Sequence, residues 1–158
     1  MDVEAPLYGP EYFRNRADPR RLIAYSQDAA KVRAFFPGLT SVLDIGSGTG
    51  EFGQYFDECD YYGYDPFAGN KTLPNHSFDV AVFRGTLQHI YNPVEILCQV
   101  RSRLNMGIAI LATPDTDSIG YMRWGTLPAL DPARNWIPFG RRMLTNILER
   151  LGFRDIVV

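Results

Sequence analysis

Residues 42–53 read V-L-D-I-G-S-G-T-G-E-F-G, and this stretch decides the fold of the chain. The largely apolar segment 41–45 indicates a buried strand, and glycine at every second position from 46 to 50 indicates a tight loop. The spacing of the aromatic residues that follow, Phe52, Tyr55 and Phe56, indicates the start of a helix. Glycine permits positive φ and places no side chain between the backbone and a ligand, while free N–H groups at a helix start favour a negatively charged ligand group. The stretch therefore predicts a strand, a loop and a helix that hold a ligand.

Composition limits the class of protein. The 158 residues, of which 46% are hydrophobic and 22% charged, predict one globular domain with a real core. The net charge of −2 offers no excess of positive charge for nucleic acid or for an anionic membrane. Cys59 and Cys98 have no paired spacing, and no signal peptide or long apolar run is present in the sequence, so we expect reduced thiols and a cytoplasmic location.

Strand and helix patterns alternate along the whole chain. This alternation predicts an α/β fold whose mostly parallel sheet carries helices on both faces. Helices are predicted from Pro19, from Pro93 behind an Asn92 cap, and around Leu144 to Leu151, and further strands at Tyr61–Asp65, Phe78–Phe83, Ile108–Ala112 and Phe153–Val158. On the Pro93 helix, Val94, Leu97, Val100 and Leu104 are predicted to form the buried face.

Ligands of such sheets bind at the carboxyl ends of the strands. Four loops are expected to meet there, namely Gly46–Gly50, Asp65–Phe67, Arg84–His89 and Thr113–Ser118. The segment from Pro114 to Gly140 has no clean period and contains both tryptophans, which indicates a long connection or lid.

The spacing of charged residues narrows the ligand. Glu51 stands where a dinucleotide fingerprint needs its third glycine, so a pyrophosphate ligand is disfavoured. Asp65 follows the second strand, where a carboxylate can bind ribose hydroxyls, and the alternative is a cap of the Asp-Pro turn. Asp44 lies inside the first strand, where burial requires partners, so it either braces the glycine loop or meets a cationic ligand.

Three segments together resemble class I S-adenosylmethionine-dependent methyltransferases. They are V-L-D-I-G-S-G-T-G at 42–50, Y-Y-G-Y-D at 61–65 and F-D-V-A-V-F-R-G-T-L-Q-H-I-Y-N-P at 78–93. The turn T-P-D-T-D-S at 113–118 and the late L-x-x-x-G-F at 148–153 resemble the small-molecule branch of that family. The resemblance implies a three-layer Rossmann-like fold with a helical arm at 1–40, a cofactor-binding core at 41–112, a connection or lid at 113–140, and a last helix and strand at 141–158.

The resemblance also implies roles for individual residues. Asp44, Gly46, Ser47, Gly48 and Gly50 would lie along the methionine part of the cofactor, Asp65 would bind the ribose, Phe67 would lie on the adenine, and Gly85 and Thr86 would border the sulfonium. Tyr12, Asp115 and Trp124 are the candidate substrate residues, and Tyr8 and Phe13 would join Tyr12 in closing over the cofactor, with ordinary packing as the alternative. His89 is the candidate general base, with simple packing again the alternative, and no metal site is expected.

Two departures from the family pattern keep other readings open. Only residues 66–77 separate Asp65 from Phe78, so one βα unit is shortened or missing, together with the carboxylate that usually bonds the adenine amino group. The apolar strand predicted at 153–158 lacks a partner, so the chain is expected either to be part of a longer one or to have that edge covered by a second protomer.

The expected activity is methyl transfer to a small-molecule or glycan-type acceptor. The alternatives are a non-catalytic binding or regulatory module and, less favoured because of Glu51, a nucleotide-dependent oxidoreductase. A nucleic-acid methyltransferase is disfavoured, because Arg84-Gly85-Thr86-Leu87 stands where an Asn/Asp-Pro-Pro-aromatic motif would stack a flipped base.

Overall fold

A computed structural model gives the structure of the protein and describes residues 8–14 and 19–158. The elements are α1 (Pro10–Arg14), α2 (Pro19–Phe35), β1 (Ser41–Ile45), β2 (Asp60–Tyr64), β3 (Val80–Arg84), α3 (Pro93–Arg101), β4 (Ile108–Ala112), α4 (Ile119–Trp124) and α5 (Arg141–Arg150). Two 3₁₀ helices cover Glu51–Tyr55 and Leu87–His89.

The four strands form one sheet in the order β2-β1-β3-β4. Strands β1 and β2 run parallel, with a register from Ser41 opposite Asp60 to Ile45 opposite Tyr64. Residues 65–79, between β2 and β3, contain no helix or strand. The predicted α/β fold and the loss of one βα unit are therefore confirmed.

The chain divides into two compact units. The first contains Met1–Val82 and Leu104–Ile110, and the second contains Phe83–Arg103 and Leu111–Val158. The organisation as a single domain stays a prediction.

The core of the first unit lies between α2 and the sheet. Its buried members come from α2 (Tyr25, Ala29, Val32), β1 (Val42), the turn after the glycine loop (Phe52, Phe56) and β3 (Val80, Val82). Successive strand residues point to opposite faces, and the alternate residues Leu43, Ile45 and Ala81 are also fully buried. Both faces of these strands are thus covered, as expected for central strands of a parallel sheet.

In the second unit, α3 begins as the sequence predicts. The Asn92 side chain accepts a hydrogen bond from Glu95 N (3.4 Å), and Asn92 Nδ2 donates to Glu95 Oε2 (3.0 Å). The predicted buried face is wrong at Val94, which is 46% exposed. The stripe that is buried starts one residue earlier, at Pro93, and continues through Ile96, Leu97 and Val100, which is the i, i+3, i+4, i+7 spacing of one helix face.

Three further predictions about elements need correction. The helix after the glycine loop is only the five-residue 3₁₀ helix Glu51–Tyr55, because Phe56 at its end leaves helical geometry with φ −134°. Strand β4 is half-buried rather than buried, since it forms the edge of the sheet. Helix α4 was not predicted, because none of its residues is buried and its sequence therefore carries no apolar period.

The strand predicted at Phe153–Val158 is wrong, because these residues form no regular secondary structure. Asp155 has a left-handed backbone (φ 53°), which interrupts an extended chain, and Val157 is 95% exposed. The proposal that a second protomer covers this edge therefore loses its basis.

Candidate active site

The glycine loop between β1 and the first 3₁₀ helix uses its own N–H groups. Gly46, Gly48 and Gly50 have φ values of 75°, 60° and 87°, so each needs the conformational freedom of glycine. Gly46 N and Ser47 N both donate to Tyr64 O (2.8 and 3.2 Å), and Gly50 N donates to Ser47 O (3.1 Å). These three donors are therefore used within the protein, two by the carbonyl at the carboxyl end of β2 and one by Ser47. The expectation of free N–H groups at the start of the following helix stays a prediction.

Asp65 joins the end of β2 to the glycine loop. Its side chain is buried, and Oδ2 accepts a hydrogen bond from Gly48 N (2.9 Å). Oδ1 accepts from Phe67 N (2.9 Å) and Ala68 N (3.1 Å), which is the turn cap that the sequence left as an alternative. An ionised carboxylate has about four acceptor directions, and three are used here. The remaining one lies on Oδ2, so the ribose role stays a prediction.

Asp44 is buried in β1 and accepts a hydrogen bond from the Tyr61 hydroxyl (2.7 Å). Gly53 makes room for this tyrosine, since a Cβ atom on Gly53 would lie 2.7 Å from the Tyr61 ring. This bond from the neighbouring strand β2 supplies a partner that a buried carboxylate requires. The two roles expected for Asp44, bracing the glycine loop and meeting a cationic ligand, stay predictions.

The N-terminal arm places two aromatic rings, Tyr8 and Phe13, against the loops of the first unit, with Tyr12 packed between them. Tyr8 stacks on Phe67, with ring centroids 4.6 Å apart and planes 13° apart. Tyr12 forms T-shaped ring pairs with Tyr8 and with Phe13, with centroids 5.0 and 5.1 Å apart. The Phe13 ring lies 3.8 Å from the position that a Cβ atom on Gly48 would occupy. The arm therefore contacts both the glycine loop and the residue predicted to lie on the adenine.

In the second unit, the loop after β3 is organised by Gln88. This side chain is buried, its Nε2 donates to Gly85 O (2.9 Å), and its Oε1 accepts from the Thr113 hydroxyl (3.2 Å). Gly85 has φ 64°, and Thr86 O accepts a hydrogen bond from His89 N (2.8 Å). Gln88 thus links Gly85 to the loop after β4. Gln88 was not among the residues predicted for the site. The available signal was a polar residue next to the apolar Leu87, in a loop predicted to lie at the site.

His89 is held as a neutral imidazole by two contacts. Its Nδ1 lies 3.0 Å from Arg134 O, and because a carbonyl accepts only, Nδ1 carries the proton. Its Nε2 lies 3.3 Å from Gln88 Nε2 and is therefore the acceptor. Burial would raise the pKa of Asp131, but the Ala133 N–H and the Arg134 guanidinium hold that pKa below its usual value. This network anchors the connection to the loop after β3.

Asp115 and Trp124, two of the candidate substrate residues, have other contacts. Burial would raise the pKa of Asp115, but two hydrogen bonds hold that pKa below its usual value. Arg141 Nε donates to Asp115 Oδ2 (2.7 Å), and Asp117 N donates to Asp115 Oδ1 (2.8 Å). Trp124 is 71% exposed, with the Arg123 guanidinium 5.3 Å from its ring centroid. Their substrate roles stay predictions, as does the meeting of all four predicted loops.

Comparison with known proteins adds the family. The model of a methyltransferase domain family matches residues 12–158, which is nearly the whole chain. The chain belongs to this methyltransferase domain family. The resemblance to class I S-adenosylmethionine-dependent methyltransferases is thereby confirmed. Among curated proteins, none matches the sequence closely enough to count as a relative.

Solved structures show that the methyltransferase fold is shared. A SAM-dependent methyltransferase from Archaeoglobus fulgidus is 23% identical, with 83% of this chain and 70% of that chain covered and a TM-score of 0.59. The plantazolicin methyltransferase BamL, in complex with a triazolic desmethylPZN analogue and SAH, is 15% identical, with coverage of 94% and 70% and a TM-score of 0.68. A possible histamine N-methyltransferase from Thermotoga maritima is 18% identical, with coverage of 91% and 80% and a TM-score of 0.60.

The described part of the methyltransferase contains neither a candidate metal cluster nor a candidate membrane-spanning helix. Residues 8–14 and 19–158 contain no cluster of three or more His, Cys, Asp or Glu side chains suited to a metal ion. Over the same residues, no helix has both the length and the apolar character needed to cross a membrane.

Proposed function

We propose that the protein transfers a methyl group from S-adenosylmethionine to a small-molecule or glycan-type acceptor by in-line displacement. The observation that carries the proposal is the buried Asp65 carboxylate at the end of β2, bonded to Gly48 of the glycine loop. It supports a ligand that presents hydroxyl groups at this point, because one acceptor direction of Oδ2 and the negative charge remain for them.

The glycine loop fits the amino acid part of this cofactor better than a pyrophosphate. Its N–H groups at Gly46, Ser47, Gly48 and Gly50 are used within the protein, so the loop offers few donors to a doubly charged group. A Cβ atom on Gly50 would meet no atom within 4 Å, which leaves open space beside the backbone. These features support the assignment of Gly46, Ser47, Gly48 and Gly50 to cofactor binding. The proposal also assigns Asp65, for the reason given above, and, from the family resemblance, Asp44, Phe67, Gly85 and Thr86.

S-adenosylmethionine, when bound, supplies an electrophilic methyl group on a positively charged sulfur. Displacement at that carbon needs little acid–base chemistry, so the main task of the chain is to hold donor and acceptor in line. Gly85 and Thr86 are proposed to border the reacting groups. If the acceptor is a hydroxyl or an amine, the neutral Nε2 of His89 is proposed to remove its proton, which requires the Gln88 amide to turn away from Nε2 first.

A non-catalytic methyltransferase-like module is the second candidate. The stacking of Tyr8 on Phe67 and the lost βα unit favour it, because both reduce the surface available to an adenine ring. A nucleotide-dependent oxidoreductase remains disfavoured, because the N–H groups of the glycine loop are used within the protein and leave few donors for a pyrophosphate.

A cytoplasmic location is also part of the proposal. It rests on the free thiols of Cys59 and Cys98.

Ligand binding tests the proposal directly. The melting temperature of the full chain is measured with S-adenosylmethionine, S-adenosylhomocysteine (SAH) and NAD, and calorimetry gives the affinities. A ligand present at 100 times its Kd stabilises the folded state by about 2.7 kcal/mol, so we expect an increase of roughly 5–10 °C with the first two ligands and none with NAD. No shift with either at millimolar concentration would show that the protein is not a methyltransferase that uses this cofactor. Binding of SAH without methyl transfer to any acceptor in a metabolite extract would favour the non-catalytic module.

A further inference from the structure

A groove of about 590 Å³ opens in the second unit, between α5 and the loop after β4. Arg142, Met143, Ile147 and Arg150 line it from the helix, and Thr116 and Asp117 line it from the loop. None of these residues was assigned to the cofactor or to catalysis. Thr116 and Asp117 lie beyond the carboxyl end of β4, the end of a parallel strand at which α/β proteins bind their ligands.

Two arginines give this groove its charge. Arg142 and Arg150 stand two turns apart on α5, a rise of about 12 Å, and face the same side of the helix. Neither guanidinium forms an ion pair or hydrogen bond with any residue in the described part of the chain. The neighbouring Arg141 differs, because its guanidinium is bound by Asp115.

The carboxylate in the groove lining, Asp117, does not neutralise both arginines. Asp117 is used to cap the start of α5, where its Oδ2 accepts a hydrogen bond from the backbone N of Arg142 (3.3 Å). Gly140 permits this approach, since a Cβ atom there would lie 2.6 Å from Asp117 Oδ1. Two positive side chains thus face a groove with one carboxylate.

The same groove has an apolar stripe. Met143 is 43% exposed and Ile147 lies one turn further along α5, both within the groove lining. A ligand that satisfies the lining therefore has an anionic group for the guanidinium groups and an apolar body for Met143 and Ile147.

We propose that this groove binds an amphipathic organic anion, a carboxylate or a phosphate ester with an apolar body. Arginine suits both kinds of anion, because its planar guanidinium donates paired hydrogen bonds to carboxylate and phosphate oxygens alike. The apolar stripe explains why the expected ligand is an amphiphile rather than a small inorganic ion.

The experiment measures the binding of octanoate, octyl phosphate and octanol to the full chain by calorimetry, with SAH binding measured in the same preparations. We expect octanoate or octyl phosphate, but not octanol, to bind to the wild type, and the stronger of the two identifies the anion. Arg142→Gln and Arg150→Gln should each weaken that binding about tenfold, and the double variant about a hundredfold. Arg21→Gln on α2 is the matched control, since Arg21 is exposed and outside the groove, and it should bind as the wild type does.

The outcomes separate the two proposals. Unchanged anion binding in the double variant, equal binding of octanol, or no anion binding by a wild type that binds SAH would each overturn the groove proposal alone. A protein that binds the anion but not SAH would support the groove proposal and contradict the proposed function. Unchanged SAH affinity in the double variant shows that the variant is folded. A concentration-dependent dimer that the double variant abolishes would assign the groove to a second copy of the chain and overturn the proposal.

Discussion

Asp65 combines two possible roles in a single side chain. Its carboxylate accepts three backbone N–H bonds, from Gly48, Phe67 and Ala68, so removing the side chain disturbs the glycine loop and the turn as well as any ribose contact. Loss of cofactor affinity in Asp65→Ala is expected, by more than tenfold. That result alone does not separate the roles, because both predict it.

A comparison of two ligands in two proteins does separate them. SAH and its 2′-deoxy analogue are titrated into the wild type and Asp65→Asn, which retains one acceptor oxygen for the turn. If the carboxylate binds the ribose, the missing hydroxyl weakens binding to the wild type about tenfold, because a charge-assisted hydrogen bond is lost. In Asp65→Asn that bond is already absent, so the missing hydroxyl should weaken binding much less. An equal penalty in the two proteins would leave Asp65 as a turn cap.

Gln88 is the second residue whose partners define a test. Gln88→Leu leaves Gly85 O, the Thr113 hydroxyl and His89 Nε2 without the bonds that Gln88 supplies. We expect a loss of about 2–3 kcal/mol in the free energy of unfolding, measured by urea denaturation, because buried polar groups lose their partner. Gln99→Leu is the control on the exposed side of α3, and it should change the free energy by less than about 0.5 kcal/mol. Equal effects of the two substitutions would contradict the role given to Gln88.

At the scale of elements, Asp79 ties the start of β3 to the start of β1. Its Oδ2 accepts hydrogen bonds from Thr40 N (2.8 Å), the Thr40 hydroxyl (2.7 Å) and Ser41 N (3.0 Å), and its own N–H is bonded to the Ser41 hydroxyl (3.0 Å). The hydrogen bond from the Thr40 hydroxyl is the main reason that the pKa of Asp79 lies below its usual value, and burial opposes it. The charged residue immediately before β3 therefore ties this strand to its neighbour β1.

The lowered pKa sets the pH dependence of this contribution. Because the folded pKa lies below the unfolded value of about 3.9, the carboxylate stabilises the fold above that pH, and the contribution is lost as the pH falls through the folded pKa. Asp79→Asn should lose about 1 kcal/mol at pH 7, measured by urea denaturation, and the difference from wild type should shrink below about pH 4. Asp57→Asn, an exposed acid, is the control and should show no such difference. A difference that is the same at pH 7 and pH 3 would exclude the ionised carboxylate as its cause.

The sequence predicted those elements that carry an apolar run, an apolar period or a cap. Strands β1 to β4 were found from their apolar or aromatic runs, helix α5 from its apolar period, and α3 because Asn92 and Glu95 cap it. Helix α4 has no buried residue and left no pattern, and the apolar end at Phe153–Val158 misled because apolar character without a pairing partner does not make a strand.

The candidate site was predictable in its residue types but not in its bonds. The acid at the end of β2 and the glycine loop were visible in the sequence, whereas the contacts of Gly48 with Asp65 and of Gln88 with Thr113 depend on how loops far apart in sequence approach each other. Gly107 illustrates the same limit. It reads as the end of a helix, yet it is required because a Cβ atom would lie 2.3 Å from Asp79 O.

For the whole molecule, the missing βα unit after β2 has a consequence for specificity. Residues 66–78 contain no acidic side chain, and Asp79 beyond them is bonded to Thr40 and Ser41. A carboxylate accepts hydrogen bonds from the adenine amino group but repels the carbonyl oxygen that replaces it in hypoxanthine, which is how such a residue would select adenine. Without it, the protein should bind S-inosylhomocysteine within about threefold of SAH, because only stacking on the base remains. Calorimetry with the two ligands on the full chain checks this, with the 2′-deoxy analogue as a control that the site still reads the ribose. A preference for SAH of a hundredfold or more would mean that some other acceptor on the chain recognises the amino group.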